Sequence, residues 1–511
     1  MNFSFKILLI FFSCFILAPV PKFFKSFIND AHSVELNLNR ELMQGNILIG
    51  LKQYIGGDIH DVDDQQALIF SNEDYFLKLE SSNGVSHESN EIKIIWRRIM
   101  LDQPLIIKRF VVGPFASYES AFQQSTILEE QGYETQIAFP DNWEVWLPYR
   151  SDLTNHNDFQ LQEINNDFEL VPFLETEFFS KRLEGAISIN SEEDIKINNK
   201  NYGKNFYLVK DSYGTWTLVQ KLSFDDYLRG ILPHEIGSNS PLEALKSQAV
   251  IARTWALYNS RRFEIDGYHL CITTQCQVYK PTANPAQNII RAIAETSNMV
   301  LTYQDKPVNA FYHASNGGIS ATASESWQME DHPYFQTAFD WNGDSQSSLS
   351  IILGEDFHLK EFFEIDSNNF FGNYHYLFRW EKVISNDQIK EILLNLKLIS
   401  TDTFIANLEI LERGVSGRVT EFKILLNNPV EEIILLKDDI RKTLNFLPSN
   451  LFIIDKKDDD FWEFKGGGFG HGVGLSQSGA IEMAKSGFSF ERILNHYYPG
   501  TNLMKIEDLK Y

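Results

Sequence analysis

The sequence predicts an α+β fold, in which β-rich segments surround a central pair of capped helices and C-terminal helices form a cleft. Alternating apolar residues between Asn- and Gly-containing turns indicate strands at 179–221. Helix caps and helical periodicity follow at 223–258, and a glycine loop at 466–474 precedes helix signals from about Ser476. A strand-helix-strand-strand pattern at 108–147 predicts a further small α+β subdomain.

The central helix pair is predicted from its capping residues. Ser223 followed by Asp226 is typical of an N-cap with an acidic third residue, and Gly230 is predicted to end this first helix. The second helix is predicted to run to about Tyr258. Its start contains an N-cap residue, a first-turn proline and a capping-box acid, which are Ser240, Pro241 and Glu243. Residues 233–237 are therefore predicted to connect the two helices tightly.

One acid, Glu235, lies in this connection. A carboxylate between two helices can sit in a cleft and both give and take protons. Two other interpretations need no catalysis: Glu235 is a solvated loop acid, or it stabilises the positive end of the following helix. The local residues leave all three interpretations open.

Composition narrows the class of partner. The chain has 511 residues, enough for two to four domains. Its 45 basic and 69 acidic residues give a net charge of −24, which argues against nucleic acid or an anionic membrane surface as the main partner. An uncharged or weakly charged polymer fits better. The three cysteines are too few for a disulfide-rich scaffold.

Residues 1–20 have the pattern of a signal peptide or a short N-terminal anchor. Lys6 is the charged region, and residues 7–17 form the apolar run. The run is shorter than the ~20 apolar residues of a comfortable transmembrane helix. No clean cleavage site follows it, so residues 7–20 are either removed or kept as an anchor. Both alternatives predict export to the periplasm or cell envelope.

Two glycine-containing loops are candidates for the remainder of a site. The segment from His313 to Gly318 ends in paired glycines, which allow the close backbone approach that a ligand or a sharp turn needs. The loop at 466–474 lacks the Gly-Lys-Ser/Thr of a phosphate-binding loop, which argues against nucleotide binding. His471 in this loop can approach a polar substrate, or it can satisfy a buried carbonyl in a purely structural loop.

An ordered set of motifs carries a family resemblance along residues 179–503. The motifs are DYLRGILPHEI, PLEALKSQAVIARTWAL, CITTQCQVY, AFYHASNGG, RGVSGRV, GFGHGVGLSQSGAIEMA and ILNHYYPGT. In this order they resemble the family of stage II sporulation protein D and the amidase enhancer LytB. The resemblance implies a catalytic domain at 179–503 in which Glu235 is the catalytic acid. It also implies that motif residues line the cleft and bind substrate: His313, Ser315, Gly317, Gly318, His471, Ser476 and Gln477.

Two positions depart from the family pattern. Ile236 stands where the family typically has methionine after the acid, and Ser478 stands where tyrosine or tryptophan follows the Ser-Gln pair. These departures bear on substrate positioning and leave the acid in place.

The resemblance implies a peptidoglycan lytic transglycosylase that needs no cofactor for catalysis. Hydrolytic glycosidases usually use two carboxylates, whereas a lytic transglycosylase can use one acid, which serves first as proton donor and then as base. Such an acid should have a raised pKa, and Tyr227, Trp255 and Tyr312 are aromatic residues that can provide apolar surroundings. The alternative is a noncatalytic wall protein that binds glycan or activates an N-acetylmuramoyl-alanine amidase.

Two N-terminal regions precede this domain. Residues 46–103 are predicted to form a β-containing region. Residues 104–150 contain the pattern VGPFAS…A…GY, which resembles a sporulation-related repeat, a module associated with glycan strands stripped of peptides. The alternative for 104–150 is an ordinary structural subdomain.

Cys271 and Cys276 allow two interpretations. With His269 they supply two thiolates and an imidazole, which suit a structural zinc ion whose fourth ligand is His313 or water. In an exported protein they can instead form a disulfide. Gln275 stands where the family often has a histidine, which weakens the zinc interpretation. Residues 341–400 are predicted to be partly an insertion, with no role assigned.

Overall fold

The computed structural model describes residues 37–57, 67–153, 158–281, 284–342, 353–427 and 432–509. The fold is α+β, with 26% helix and 37% strand, and the larger strand share confirms the predicted β-rich character. None of the helices in these ranges has the length and apolar character required to cross a bilayer. The predicted signal or anchor at residues 1–20 lies outside the described residues.

The helices, in chain order, are α1 (Leu38–Met43), α2 (Tyr118–Glu130), α3 (Phe224–Leu232), α4 (Leu242–Tyr258), α5 (Gln287–Glu295), α6 (Ala323–Ser326), α7 (Asp356–Glu364), α8 (Asn386–Asn395), α9 (Asp438–Thr443), α10 (Gln477–Lys485) and α11 (Phe490–Tyr497). The strands before α3 are β1 (Asn46–Ile55), β2 (Ala67–Ser71), β3 (Leu77–Ser81), β4 (Ser86–Ser89), β5 (Glu91–Phe115), β6 (Gln136–Ala138), β7 (Trp143–Pro148), β8 (Gln160–Glu175), β9 (Ser180–Arg182), β10 (Ile187–Asn190), β11 (Lys196–Ile197), β12 (Lys200–Asn201), β13 (Asn205–Lys210) and β14 (Trp216–Ser223). The later strands are β15 (Leu270–Cys271), β16 (Met299–Tyr303), β17 (Lys306–Pro307), β18 (Tyr312–His313), β19 (Trp380–Ser385), β20 (Ile405–Arg413), β21 (Val419–Leu426), β22 (Glu432–Leu436), β23 (Phe452–Lys456), β24 (Phe461–Gly466), β25 (Leu475–Ser476) and β26 (Asn502–Lys505).

Two sheets form the N-terminal half. One has the order β15-β1-β14-β13-β10-β3-β4, and the other has the order β12-β11-β2-β5-β7-β6, with β8 joined to β5 and β9 joined to β8. Apolar side chains from both sheets share one core, in which Phe70, Trp96 and Phe206 are fully buried. β14 leads directly into α3, so this core fixes the start of the central helix pair.

The segment predicted at 104–150 contains the expected strand, helix and two strands. Ser117 caps α2, because its side chain accepts a hydrogen bond from Ser120 N. β5 starts well before residue 104, and its partner β8 lies beyond residue 150, so the sheet extends past both ends of this segment. Ser117 and Ser120 also bond the carboxylate of Asp438 at the start of α9. Glycan binding by this segment stays a prediction.

The central helix pair is present with two corrections at its ends. Ser223 caps α3 by accepting from Asp226 N at 3.1 Å, as predicted. Gly230 does not end α3, which continues to Leu232 and then into a π-helical turn. Ser240 does not cap α4: no side-chain cap bond is present, and Ser240 Oγ donates instead to Ile236 O at 2.6 Å.

α4 is the axis of the C-terminal half. Its small residues Ala249, Ala252 and Ala256 are fully buried, as their spacing predicts. α3, α5, α10 and α11 pack against it. Ser476 caps α10, at the helix start predicted from the sequence, and Ser489 caps α11.

Residues 380–464 form a unit with a core of its own. The sheets β19-β24-β23 and β20-β21-β22 enclose apolar side chains that include Phe422, Phe452 and Phe464. β24 ends at Gly466, where the glycine loop begins. The segment preceding this unit, residues 367–378, packs beside the glycine loop.

Candidate functional site

Glu235 lies in the π-helical turn Pro233–Gly237, directly after α3. A π turn widens the backbone locally, and such turns are frequent at functional sites. Ile236 is buried in the core beside α4, which fixes the turn, while Glu235 stays partly exposed. The helix pair thus holds one carboxylate at the edge of the core.

The segment after the cysteines reaches this carboxylate. Val278 N donates to Glu235 Oε1 at 2.8 Å. Gly230 makes this approach possible, because a Cβ atom at this position would lie 2.3 Å from the ring of Tyr279 and 2.8 Å from Lys280 O. Lys280 N also donates to Gly230 O at 3.2 Å. Gly230 therefore serves close packing between α3 and this segment.

Two further side chains act on the Glu235 carboxylate: hydrogen bonding from the Tyr312 hydroxyl and from Gln477 lowers its pKa. The Gln477 amide also donates to Gln248 Oε1 at 3.4 Å. Tyr312 and Gln477 both lie at a pair of short parallel strands, since Tyr312 begins β18 and Gln477, the first residue of α10, directly follows β25. In this pair Tyr312 aligns with Leu475, and His313 aligns with Ser476. Three separate parts of the chain therefore meet at Glu235.

A hydrogen-bonded chain orients the Tyr312 hydroxyl. Tyr227 OH donates to Gln277 Oε1 at 3.0 Å, and Gln277 Nε2 donates to Tyr312 OH at 3.0 Å. Because the Tyr312 oxygen accepts from Gln277, its own proton is available for Glu235. Burial and the nearby Glu235 charge raise the pKa of Tyr312 well above its ordinary value, so the hydroxyl stays protonated.

The surroundings favour a protonated Glu235. Loss of solvent raises the pKa of Glu235 above its ordinary value, and this effect outweighs the hydrogen bonds from Val278 N, Tyr312 and Gln477, which lower it. Among the described residues, the groups that shift this pKa include no second carboxylate. Glu235 therefore has the character of a lone general acid that can also hold a negative charge.

His313 and His471 hold the backbone next to the site through hydrogen bonds of their ring nitrogens. His471 Nε2 donates to Tyr312 O at 2.9 Å, and its Nδ1 accepts from Val473 N at 3.1 Å. His313 Nδ1 lies 3.1 Å from Val473 O, and its buried Nε2 has no hydrogen-bond partner in the described ranges. The two rings lie edge to face, 5.1 Å apart. Burial lowers the pKa of His471 to about 3 and that of His313 well below its ordinary value, so both rings are neutral.

The other cleft residues predicted from the sequence are buried or closely packed. Ser315 is hidden and pairs its backbone with Phe469. Ser476 Oγ accepts from Gly479 N as the cap of α10. Gly317 has φ +71°, and a Cβ there would lie 2.6 Å from Gly467 C, while a Cβ at Gly318 would lie 3.0 Å from Phe370. Of the seven cleft residues predicted from the sequence, Gln477 is the one that affects the pKa of Glu235 through a hydrogen bond.

Two concavities lie away from Glu235. One of about 430 Å³ is lined by Phe488, Glu491, Arg492, Asn495 and His496. The other, of about 50 Å³, lies behind His471 and is lined by Ser326, Trp327, Asp438, Arg441, Asn450, Gly470 and His471. Glu235 lines neither of them, so we assign the site from its hydrogen bonds rather than from pocket shape.

The cysteine pair forms a disulfide in the structure, with Cα atoms 5.7 Å apart. His269, the predicted third zinc ligand, accepts from Leu48 N at its Nδ1 and contacts Leu38 O through its Nε2. Burial lowers the pKa of His269 to about 4. Across the described ranges no group of three His, Cys, Asp or Glu side chains is placed to hold a metal ion. This geometry favours the disulfide interpretation.

Sequence reasoning missed Gln277 and Val278. Their position directly after Cys276 was the available signal, because a cross-link that fixes residues 271–276 also fixes the residues that follow. Tyr312 was expected as part of an apolar wall, whereas the structure places its hydroxyl at the carboxylate. Trp255, expected in the same wall, packs in the core under Arg262.

Comparison with protein families matches this site. The model of the family "Stage II sporulation protein" covers residues 212–303, the range that contains Glu235, both cysteines and Val278. Residues 212–303 therefore resemble the stage II sporulation protein family. A second family model, a domain of unknown function, covers residues 321–474 and so includes His471. Tyr312 and Gln477 lie outside both matched ranges.

Curated relatives carry the same resemblance over a longer part of the chain. An uncharacterised protein of Brachyspira hyodysenteriae is 28% identical over 298 residues, which are 57% of this chain and 69% of the relative. The amidase enhancer of Bacillus subtilis is 26% identical over 298 residues, 54% of this chain and 40% of that protein. Stage II sporulation protein D of Bacillus subtilis is 24% identical over 363 residues, 66% of this chain and 92% of the relative. Similarity to this family suggests a function related to the cell wall.

Proposed function

We propose that this protein is a peptidoglycan lytic transglycosylase that cleaves glycan strands and leaves 1,6-anhydromuramyl ends, with Glu235 as acid and base. The observation that carries the proposal is a partly buried carboxyl whose pKa is raised by loss of solvent and by no other acid among the causes of the shift, and which Val278 N, Tyr312 and Gln477 can stabilise once it is charged. A hydrolytic mechanism would use a second carboxylate, typically about 5 to 10 Å away, to activate water or attack the sugar. The interactions of Glu235 support the mechanism that needs one acid.

In the proposed reaction, protonated Glu235 gives its proton to the glycosidic oxygen as the bond to the muramyl anomeric carbon breaks. Glu235 is then a carboxylate, which Val278 N–H, Tyr312 OH and the Gln477 amide stabilise through hydrogen bonds. The carboxylate next removes the proton from the muramyl 6-hydroxyl, whose oxygen bonds to the anomeric carbon of the same sugar. Glu235 is protonated again, and no water is consumed.

Digestion of purified peptide-free glycan strands tests this proposal. Products of the wild-type protein should lack one water relative to hydrolysis products by mass spectrometry. Glu235→Gln keeps the side-chain size and cannot cycle a proton, so product formation should fall by ~100- to 10,000-fold. Glu330→Gln removes an exposed acid and should leave activity unchanged. A fully active Glu235→Gln protein would overturn the assignment.

A second function is favoured by the amidase enhancer among the relatives. In this alternative the protein binds glycan without cleaving it and activates an N-acetylmuramoyl-alanine amidase. Purified amidase should then release stem peptides faster in the presence of the protein, and Glu235→Gln should stimulate it equally. Stimulation together with a wild-type protein that forms no anhydro ends would support the alternative.

We also propose that the protein is exported to the periplasm or cell envelope. The Cys271–Cys276 disulfide supports this location, because disulfides persist mainly in oxidising compartments. Cell fractionation with an epitope tag tests the proposal, and the mass of the mature protein shows whether residues 1–20 are removed.

A further inference from the structure

An exposed group of aromatic side chains borders the glycine loop. Tyr376 is 78% exposed, Phe469 is 40% exposed, and His375 lies between them. The rings of His375 and Tyr376 are 4.9 Å apart and inclined by 29°, and those of His375 and Phe469 are 6.4 Å apart and inclined by 28°. We call these three side chains the aromatic strip. Contiguous exposed apolar surface usually marks an interaction site.

The loop that carries Tyr376 is fixed at three points. Gly372 N donates to the Glu482 carboxylate, and Gly372 packs so closely on α10 that a Cβ would lie 2.7 Å from Ser478 Oγ. Gly468 N donates to Leu377 O at 2.9 Å. Arg379 Nη1 donates to Gly317 O at 2.7 Å. The strip is therefore presented by an anchored segment, which reduces the entropy lost on binding.

The same anchors belong to the elements that build the Glu235 site. Ser478, under Gly372, directly follows Gln477. The backbone of Phe469 pairs with that of Ser315, with N–O distances of 2.7 and 3.2 Å. Ser315 lies three residues after Tyr312. The strip is thus connected to both side chains that reach the Glu235 carboxylate.

We infer that the aromatic strip is a carbohydrate subsite, which holds a sugar ring of the bound glycan at some distance from the bond that Glu235 acts on. The identity of the glycan rests on the proposed function. One face of a pyranose ring carries mainly C–H groups, so it can cover an aromatic ring and bury apolar area on both. The net charge of −24 disfavours a strongly anionic partner and is compatible with a weakly charged polysaccharide. The segment 367–378 would then extend the cleft.

Calorimetry with peptide-free peptidoglycan oligosaccharides tests the inference, and the Glu235→Gln protein is used so that the ligand stays intact. Tyr376→Ala and Phe469→Ala should each weaken binding about five- to tenfold, because each removes a ring face from contact. Tyr376→Phe should bind almost like the parent protein, since the ring remains. Phe178→Ala, at a side chain 91% exposed in the turn between β8 and β9, is the matched control and should not change affinity. Thermal unfolding checks that every variant is folded.

Kinetics separate this inference from the proposed function. In the active protein, Tyr376→Ala should raise KM and leave kcat near the wild-type value. Unchanged affinity and KM in both alanine variants would overturn the subsite, whatever Glu235 does. Weakened binding in a wild-type protein that forms no anhydro products would support the subsite while the transglycosylase proposal fails. Oligosaccharides that do not bind the parent protein, or an amidase that depends on Tyr376 for its binding, would also overturn the subsite.

Discussion

Gly230 and Tyr279 are in van der Waals contact, and this contact sets the position of the catalytic candidate. The ring of Tyr279 occupies the space where a Cβ of residue 230 would be. Tyr279 directly follows Val278, whose N–H bonds the Glu235 carboxylate at 2.8 Å. The absence of a side chain at Gly230 therefore determines whether Val278, 43 positions after Glu235, can reach the Glu235 carboxylate.

Gly230→Ala should lower activity and stability together. In an ordinary helix interior this change would stabilise the protein by up to ~1 kcal/mol. Here the added methyl would lie 2.3 Å from the Tyr279 ring and 2.8 Å from Lys280 O, so overpacking of about 1–3 kcal/mol should outweigh that gain. Denaturant unfolding and anhydro-product release measure the two effects. A stabilised variant with full activity would contradict this account of the contact.

The sequence predicts the presence of the helices α3 and α4 correctly, but it is less accurate about the residues at which they begin and end. Ser223 was identifiable because an N-cap is a local signal. Gly230 was assigned to the end of α3 because glycine often ends helices, yet the real reason for glycine is packing against Tyr279, a partner distant in sequence. Ser240 was assigned as a cap for the same local reason, while the structure uses its hydroxyl to bond Ile236 O in the π turn.

Tyr312→Phe should move the alkaline limb of the activity profile to higher pH. The Tyr312 hydroxyl lowers the pKa of Glu235 by bonding the carboxylate, so its removal should raise that pKa further. Protonated Glu235 would then persist to higher pH, although the maximum rate should fall because the carboxylate is less stabilised. The measurement is kcat/KM across pH. Tyr227→Phe is the control, because that hydroxyl bonds Gln277 rather than Glu235, and an equal shift in both variants would contradict the assignment.

Reduction of the Cys271–Cys276 disulfide should cost roughly 2 kcal/mol of stability by the loop-entropy estimate for a short loop. Activity should also fall, because Gln277 and Val278 directly follow Cys276 and lose their fixed position. Unfolding with and without reductant measures the first effect, and product release measures the second.

Mass analysis and metal analysis decide between the two interpretations of the cysteines. The disulfide predicts a mass lower by two hydrogen atoms before reduction and no stoichiometric zinc. A Cys271→Ser/Cys276→Ser protein should resemble the reduced wild type and should not respond to reductant. About one zinc per chain, removed by a chelator with loss of thermal stability, would support the zinc alternative instead.

The sequence predicts those residues of the candidate site that lie in recognisable motifs. It does not predict contacts that form only when the fold brings distant residues together. Glu235 and Gln477 lie in motifs that the sequence displays. His313 and His471 lie in such motifs too, yet the structure directs ring nitrogens of both to backbone groups, the structural role that was weighed for His471. Gln277 lies in a motif directly after Cys276, but its role cannot be derived from the sequence, because that role depends on the fold bringing Tyr227 and Tyr312 to its two ends.

Glu235→Gln should make the folded protein more stable at neutral pH. The pKa of Glu235 is raised above its ordinary value of 4.5 in the folded state, so the folded protein binds a proton at pH values where the unfolded chain has released it. Stability from this group is therefore fully present below about pH 4.5 and is lost as pH rises through the folded-state pKa. Glutamine stays neutral and can still accept from Val278 N, so the variant should avoid this loss, which amounts to about 1.4 kcal/mol per unit of pKa difference.

Urea unfolding of both proteins at pH 4 and pH 7.5, with Glu330→Gln as the exposed-acid control, should show equal stability at the lower pH and a more stable variant at the higher one. A less stable variant at pH 7.5 would mean that the hydrogen bonds to the carboxylate outweigh its burial, which would remove the physical basis for Glu235 as a proton donor.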